Sequence, residues 1–106
     1  MFSFFTKQNY KTISVHDLDN ILEDIELIDI RESYEYRGGH LPKSRNIPMN
    51  TLLINSEKYL DKSKEYYIIC QSGGRSSAAC NQLASKGYNV VNISGGTGSY
   101  RNPLER

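Results

Sequence analysis

The chain has 106 residues, 38% of them hydrophobic and 24% charged, which supports one compact soluble domain and excludes collagen-like, disordered and membrane classes. Thirteen lysines and arginines against twelve aspartates and glutamates leave a formal charge of +1, too balanced to provide the basic field a nucleic-acid partner needs. Two cysteines ten positions apart form neither a disulfide framework nor a metal-ligand spacing, and they fit a reducing, cytoplasmic compartment.

In chain order, residues 1–11 read as a short amino-terminal arm and residues 12–106 as a single domain. Phe2, Phe4 and Phe5 make an apolar patch far shorter than a signal-peptide core, and no stretch is long enough to span a membrane. A short strand is expected over residues 11–13. Ser14, followed three residues later by Asp17 and then by Leu18, Ile21 and Leu22, predicts a capped amphipathic helix over residues 15–23. The run Leu27-Ile28-Asp29-Ile30 predicts a buried strand over residues 26–30, in which Asp29 is unusual. Ser33 is placed to cap a short helix through Arg37, and Gly38-Gly39 stops it. His40-Leu41-Pro42 begins a turn, and residues 45–47 form a short strand closed by Pro48. Asn50 or Thr51 then caps a helix containing Leu52, Leu53 and Ile54.

Residues 66–70 are a second apolar strand, and residues 75–86 a helix carrying Ala78, Ala79, Leu83 and Ala84 and ended by Gly87. Val90, Val91 and Ile93 belong to the last buried strand. Alternating strands and helices with short connections predict an α/β fold, its mainly parallel central sheet flanked by helices on both faces. Ligands of such sheets bind beyond the carboxyl ends of the strands.

One such end carries Cys70-Gln71-Ser72-Gly73-Gly74-Arg75-Ser76, a tight loop from a buried strand into a helix. The two glycines allow the backbone to curl so that successive N–H groups point inward, and the helix start adds its positive dipole end. Such a loop cradles an anion. A thiol at its centre has a depressed pKa, helped by Arg75, which makes Cys70 a poised nucleophile rather than a merely buried cysteine.

The same loop resembles the Cys-x-x-Gly-x-Arg-Ser active-site loop of single-domain rhodanese sulfurtransferases. Upstream, Asp29-Ile30-Arg31, Glu35-Tyr36, Gly39-His40-Leu41-Pro42 and Asn46-Ile47-Pro48 are similar to that family's Asp-x-Arg, Glu-Tyr, Gly-His-Ile-Pro and Asn-Ile-Pro signature. Downstream, Gly95-Gly96, Tyr100 and Pro103 resemble its closing segment, so the likeness runs over residues 12–104. Lys43-Ser44 stand where the family commonly has Gly-Ala, and Tyr100 where it commonly has Trp.

The resemblance implies a rhodanese-like fold and a sulfurtransferase that carries sulfane sulfur as a Cys70 persulfide, without metal or organic cofactor. Its implied partners are small sulfur-containing anions such as thiosulfate, and thiols, with cyanide or a thiol as the thiophilic acceptor and a sulfur-relay protein as a further candidate partner. Gln71, Ser72, Gly73, Gly74, Arg75 and Ser76 would bind substrate through the loop. Arg75 is expected to hold sulfur-donor oxyanions in its planar fork, with buttressing of the loop as the alternative. The alternative is a sulfur-relay or regulatory module that takes sulfur only from a partner protein. A cysteine phosphatase or arsenate reductase ranks lower, because those enzymes use a Cys-x5-Arg loop and here only four residues separate Cys70 from Arg75.

Asp29 and Arg31, at the other strand's end, are expected to support the site as an internal ion pair, with Arg31 able to add positive potential near an anion. His40 is expected to satisfy turn backbone groups, and His16 to lie at the surface. Glu32 and Glu35 belong to a solvated helix face, with local capping or pairing open to Glu35. Cys80 falls on a helix face with Leu83 and Ala84 and packs the core; a resolving-thiol role requires disulfide reach to Cys70.

Overall fold

Five short segments pair side by side: β1 (Lys11–Ser14), β2 (Glu26–Asp29), β3 (Ser44–Asn46), β4 (Glu65–Ile69) and β5 (Asn89–Ser94). In the computed structural model, which describes residues 9–106, they form one sheet of order β1-β5-β4-β2-β3 in which every pairing is parallel. Phe2, Phe4 and Phe5 of the expected arm lie outside the described residues.

Side chains alternate across a strand, so each apolar run supplies two cores. Tyr66, Ile68 and Cys70 face one side with Ile28, Ile30 and Val90. There they meet α2 (Met49–Ile54), α3 (Ser56–Tyr59) and α4 (Gly74–Ser85) through Leu52, Leu60, Ala79, Cys80 and Leu83. Ile69, Leu27 and Ile93 face the other side and meet Val15, Leu18, Leu22 and Leu41. The remaining α-helix, α1 (Ser33–Arg37), buries no residue and serves the site rather than the core. Among the described residues no helix is long and apolar enough to cross a membrane.

The segment expected to be a helix over residues 15–23 is instead two 3-10 turns, Val15–Asp17 and Leu22–Asp24. Its backbone bonds run three residues back, from Leu18 to Val15, Ile21 to Leu18 and Asp24 to Ile21. Apolar residues three apart suit that tighter winding as well as an α-helix, and Asp17, Asp19 and Asn20 are poor helix-interior residues. Ser14 does cap, accepting from the His16 amide at 3.1 Å. At α1 the cap is Glu32 rather than Ser33: the Glu35 carboxylate reaches back to the Glu32 amide at 2.9 Å. Pro48, not Asn50 or Thr51, precedes α2.

Topology places the site. β3 lies on one side of β2 and β4 on the other, so the chain reverses its direction across the sheet there, where ligands of α/β sheets bind. The register sets Asp29 beside Ile69, and the Ile30 amide donates to the Ile69 carbonyl at 3.0 Å. The end of β2 therefore adjoins the Cys70 loop.

Candidate active site

Cys70 leaves the sheet at the end of β4, and the chain turns at once into α4. The turn depends on Gly73, whose φ of +111° lies in the left-handed region where a Cβ is strained. Gly74 has no such need. It is the first residue of α4, its φ is ordinary, and a Cβ there would meet nothing within 4 Å. Of the glycine pair, only the first is required by the curl.

Inside the curl the Gly73 amide donates to Cys70 Sγ at 3.1 Å and the Ser76 amide at 3.3 Å, while Ser76 Oγ stands 3.4 Å from the sulfur. Burial pushes the Cys70 thiol up, since only 1% of the residue is exposed. The Ser76 hydroxyl and the amides of Ser76, Gly73 and Ser72 outweigh it, and the net shift is downward. The amides of Gly74 and Arg75, in the first turn of α4, have no intrahelical partner and face no competing acceptor in the helix.

Arg75 turns away to Glu35. Its Nη1 donates to Oε1 at 2.8 Å and its Nη2 to Oε2 at 2.9 Å, a two-pronged bond between α4 and α1. The fork is thus engaged by a carboxylate of the protein, the arrangement of a buttress. The Arg75 guanidinium holds the Glu35 carboxyl down at about 2, far below the usual carboxylate range. Glu35 is therefore more than part of a solvated face. Its spacing from Glu32 betrays the cap, but nothing local in the sequence marks a pairing across 40 positions.

Asp29 and Arg31 are both buried and form the internal pair expected of them, with Arg31 Nη2 2.8 Å from Asp29 Oδ2. The same nitrogen donates to the Gly39 carbonyl at 2.8 Å, and Nη1 donates to Gln71 Oε1 at 3.1 Å. Arg31 thereby ties β2 to the first side chain after the nucleophile. Asn46 completes this corner by donating to the carbonyls of Asp29 and Arg31, both at 2.9 Å.

A second brace comes from the loop after β5. The Thr97 amide donates to the Cys70 carbonyl and the Gly98 amide to the Gln71 carbonyl, each at 2.9 Å. Gly96 has φ +65°, and a Cβ there would stand 2.5 Å from the Cys70 carbonyl oxygen, inside any tolerable contact. Gly95-Gly96 is visible in the sequence, yet its role as the surface against which the cysteine loop lies is visible only in the fold.

The remaining polar residues fall outside the cradle. His40 stacks on Tyr36 with ring centroids 3.7 Å apart, and its Nδ1 is 2.8 Å from the Tyr36 carbonyl. His16 is exposed. Cys80 is fully buried, and burial, with the nearby charge of Cys70, pushes its thiol up to about 12. Tyr100, in the place of a tryptophan, donates to Asp19 Oδ1 at 2.9 Å while packing against the second core.

Comparison with known proteins agrees with this geometry. The chain is 42% identical over 74 residues to YtwF of Bacillus subtilis, covering 70% of this chain and 71% of that protein. It is 37% identical over 75 residues to a protein of Allochromatium vinosum named sulfurtransferase, covering 70% and 69%. The crystal structure of SSP1007 from Staphylococcus saprophyticus superposes with a TM-score of 0.83 at 33% identity, over 91% of this chain and 99% of that one. A model of the rhodanese-like domain family matches residues 14–102, and the chain belongs to that family.

Proposed function

We propose that the chain transfers sulfane sulfur from a thiosulfate or persulfide donor to a thiophilic acceptor through a persulfide on Cys70. One observation carries the reading: a nucleophilic sulfur at a strand's carboxyl end, held by the Gly73 and Ser76 amides at 3.1 and 3.3 Å, with its pKa lowered. The Cys70 thiolate attacks the outer sulfur of thiosulfate. A new S–S bond forms, the old one breaks, and its electron pair leaves on sulfite. The amides of Gly74 and Arg75 are those left for the charge on the outer sulfur. Attack by cyanide or a thiol then removes that sulfur and returns the thiolate.

Loop size supports sulfur over phosphorus. With four residues between Cys70 and Arg75, and the Arg75 fork engaged by Glu35, the ring has neither the span nor the free guanidinium for a tetrahedral phosphate. A reducing compartment such as the cytoplasm suits a chemistry that needs Cys70 as a thiolate.

The test is an intact mass after incubation with thiosulfate. A gain of one sulfur, mapped to Cys70 and absent from Cys70→Ser, is the expected result. An adduct formed only with a loaded cysteine desulfurase makes the protein a relay instead. No adduct from either source overturns both readings.

A further inference from the structure

Beside the cradle lies an open cavity of about 480 Å³ whose walls include Arg31, Tyr34, Glu35, Gln71, Thr97 and Leu104. Gln71 belongs to the cysteine loop itself, and Glu35 grips Arg75 of the same loop, so cavity and cradle share a wall. The volume falls in the range of about 300–1,000 Å³ typical of sites for organic ligands, well beyond what an inorganic oxyanion of sulfur fills.

Its chemistry is selective. Both charged groups in the wall are already neutralised, Arg31 by Asp29 and Glu35 by Arg75, so the cavity offers little to a second anion. Its rim is apolar instead. Among the described residues three large apolar side chains are exposed, Tyr34 (69%), Ile54 (79%) and Leu104 (42%), and two of the three line this one cavity. Leu104 is held in place: His40 and Glu105 exchange backbone hydrogen bonds at 2.9 and 2.8 Å, which presses Leu104 against the Gly39 backbone. Thr97 adds a buried hydroxyl with no partner among the described residues.

Resting on the sulfurtransferase reading, we propose that this cavity is the subsite for the apolar organic part of the sulfur donor, R–S–S⁻ or R–SO₂–S⁻, with Tyr34 and Leu104 setting the preference for R. The bound R group stays beside the loop while the Cys70 thiolate attacks the outer sulfur. The S–S bond to R–S or R–SO₂ breaks, and the electron pair leaves as the thiolate or sulfinate, so no oxidant or reductant is consumed.

The test compares sodium benzenethiosulfonate with sodium methanethiosulfonate, two donors of equal charge, by kcat/KM with cyanide as acceptor, in the native protein, Leu104→Asp and Tyr34→Ser. Both positions are exposed, which keeps the variants foldable. The expected result is a preference of about tenfold for the aromatic donor in the native protein that falls to about threefold or less in each variant. Comparing the ratio among variants removes the intrinsic reactivity of the two donors. A ratio that stays the same from the native protein to both variants overturns the subsite and leaves sulfur transfer standing. Failure of thiosulfate and both thiosulfonates to load sulfur on Cys70 overturns the sulfurtransferase reading, and the subsite with it.

Discussion

At Cys70 two large effects oppose each other. Burial favours the neutral thiol, and four hydrogen-bonding groups converging on the sulfur favour the thiolate; the second set prevails. Ser76 is the side chain in that set. In the neutral form the thiol donates to Ser76 Oγ while the hydroxyl donates to the Gly73 carbonyl at 3.1 Å. Loss of the thiol proton frees that hydroxyl to turn toward sulfur, a hydrogen bond that exists only for the charged form. Ser76→Ala is therefore expected to raise the pH midpoint of the thiolate's ultraviolet absorbance, with Cys80 silent because burial keeps it protonated over the same range. A hydrogen bond to a charged group is worth about 1.5 kcal/mol or more, so persulfide formation near neutral pH should slow by about tenfold. An unchanged midpoint in a folded variant would show that the backbone amides alone set the thiolate.

Among the elements, the turn between α1 and β3 carries a cost that the rest of the molecule absorbs. Lys43 has φ +69°, and it is the non-glycine residue with positive φ among those described. A Cβ in that conformation costs roughly 1–2 kcal/mol, partly offset by the larger unfolded-state freedom of glycine. Its ammonium lies 3.6 Å from Glu23 with both side chains exposed, a contact of small worth. Lys43→Gly is expected to raise stability by about 0.5–1 kcal/mol in urea unfolding, and a loss of stability would refute the strain. The same turn explains why one departure from the family pattern was readable in the sequence and its meaning was not, since a positive φ depends on how β2 and β3 are joined. Apolar runs such as residues 66–70 reveal their strand because alternation and burial act locally. The helix expected over residues 15–23 fails because a three-residue spacing fits two windings. At the site, Cys70 and its glycine turn are legible for the same local reason. The Glu35–Arg75 pair and the Gly96 contact join positions far apart in the chain, and only the topology brings them together.

Across the whole molecule, the site is a junction of three segments that leave the carboxyl ends of strands: α1 after β2, the cysteine loop after β4, and Gly96–Gly98 after β5. Arg31 and Thr97 hold the loop's first residues from either side, and Glu35 holds its end through Arg75. The last of these makes global stability depend on acid. Glu35 has a folded pKa of about 2 against an ordinary 4.5, so its charge stabilises the fold fully above about 4.5 and progressively less as pH falls toward 2. Because the Arg75 side chain is 40% exposed, solvent screens the pair, and a contribution of about 1 kcal/mol at neutral pH is the appropriate scale. Glu35→Gln isolates this charge, since a glutamine oxygen can still accept from the Glu32 amide and preserve the cap. Urea unfolding of the two proteins at a series of pH values should show the native protein ahead by about 1 kcal/mol at neutral pH, with the gap closing through the window between 4.5 and about 2. A gap that stayed constant or widened in acid would mean that the carboxylate's charge does not hold α1 to α4, and that shape alone keeps the loop closed.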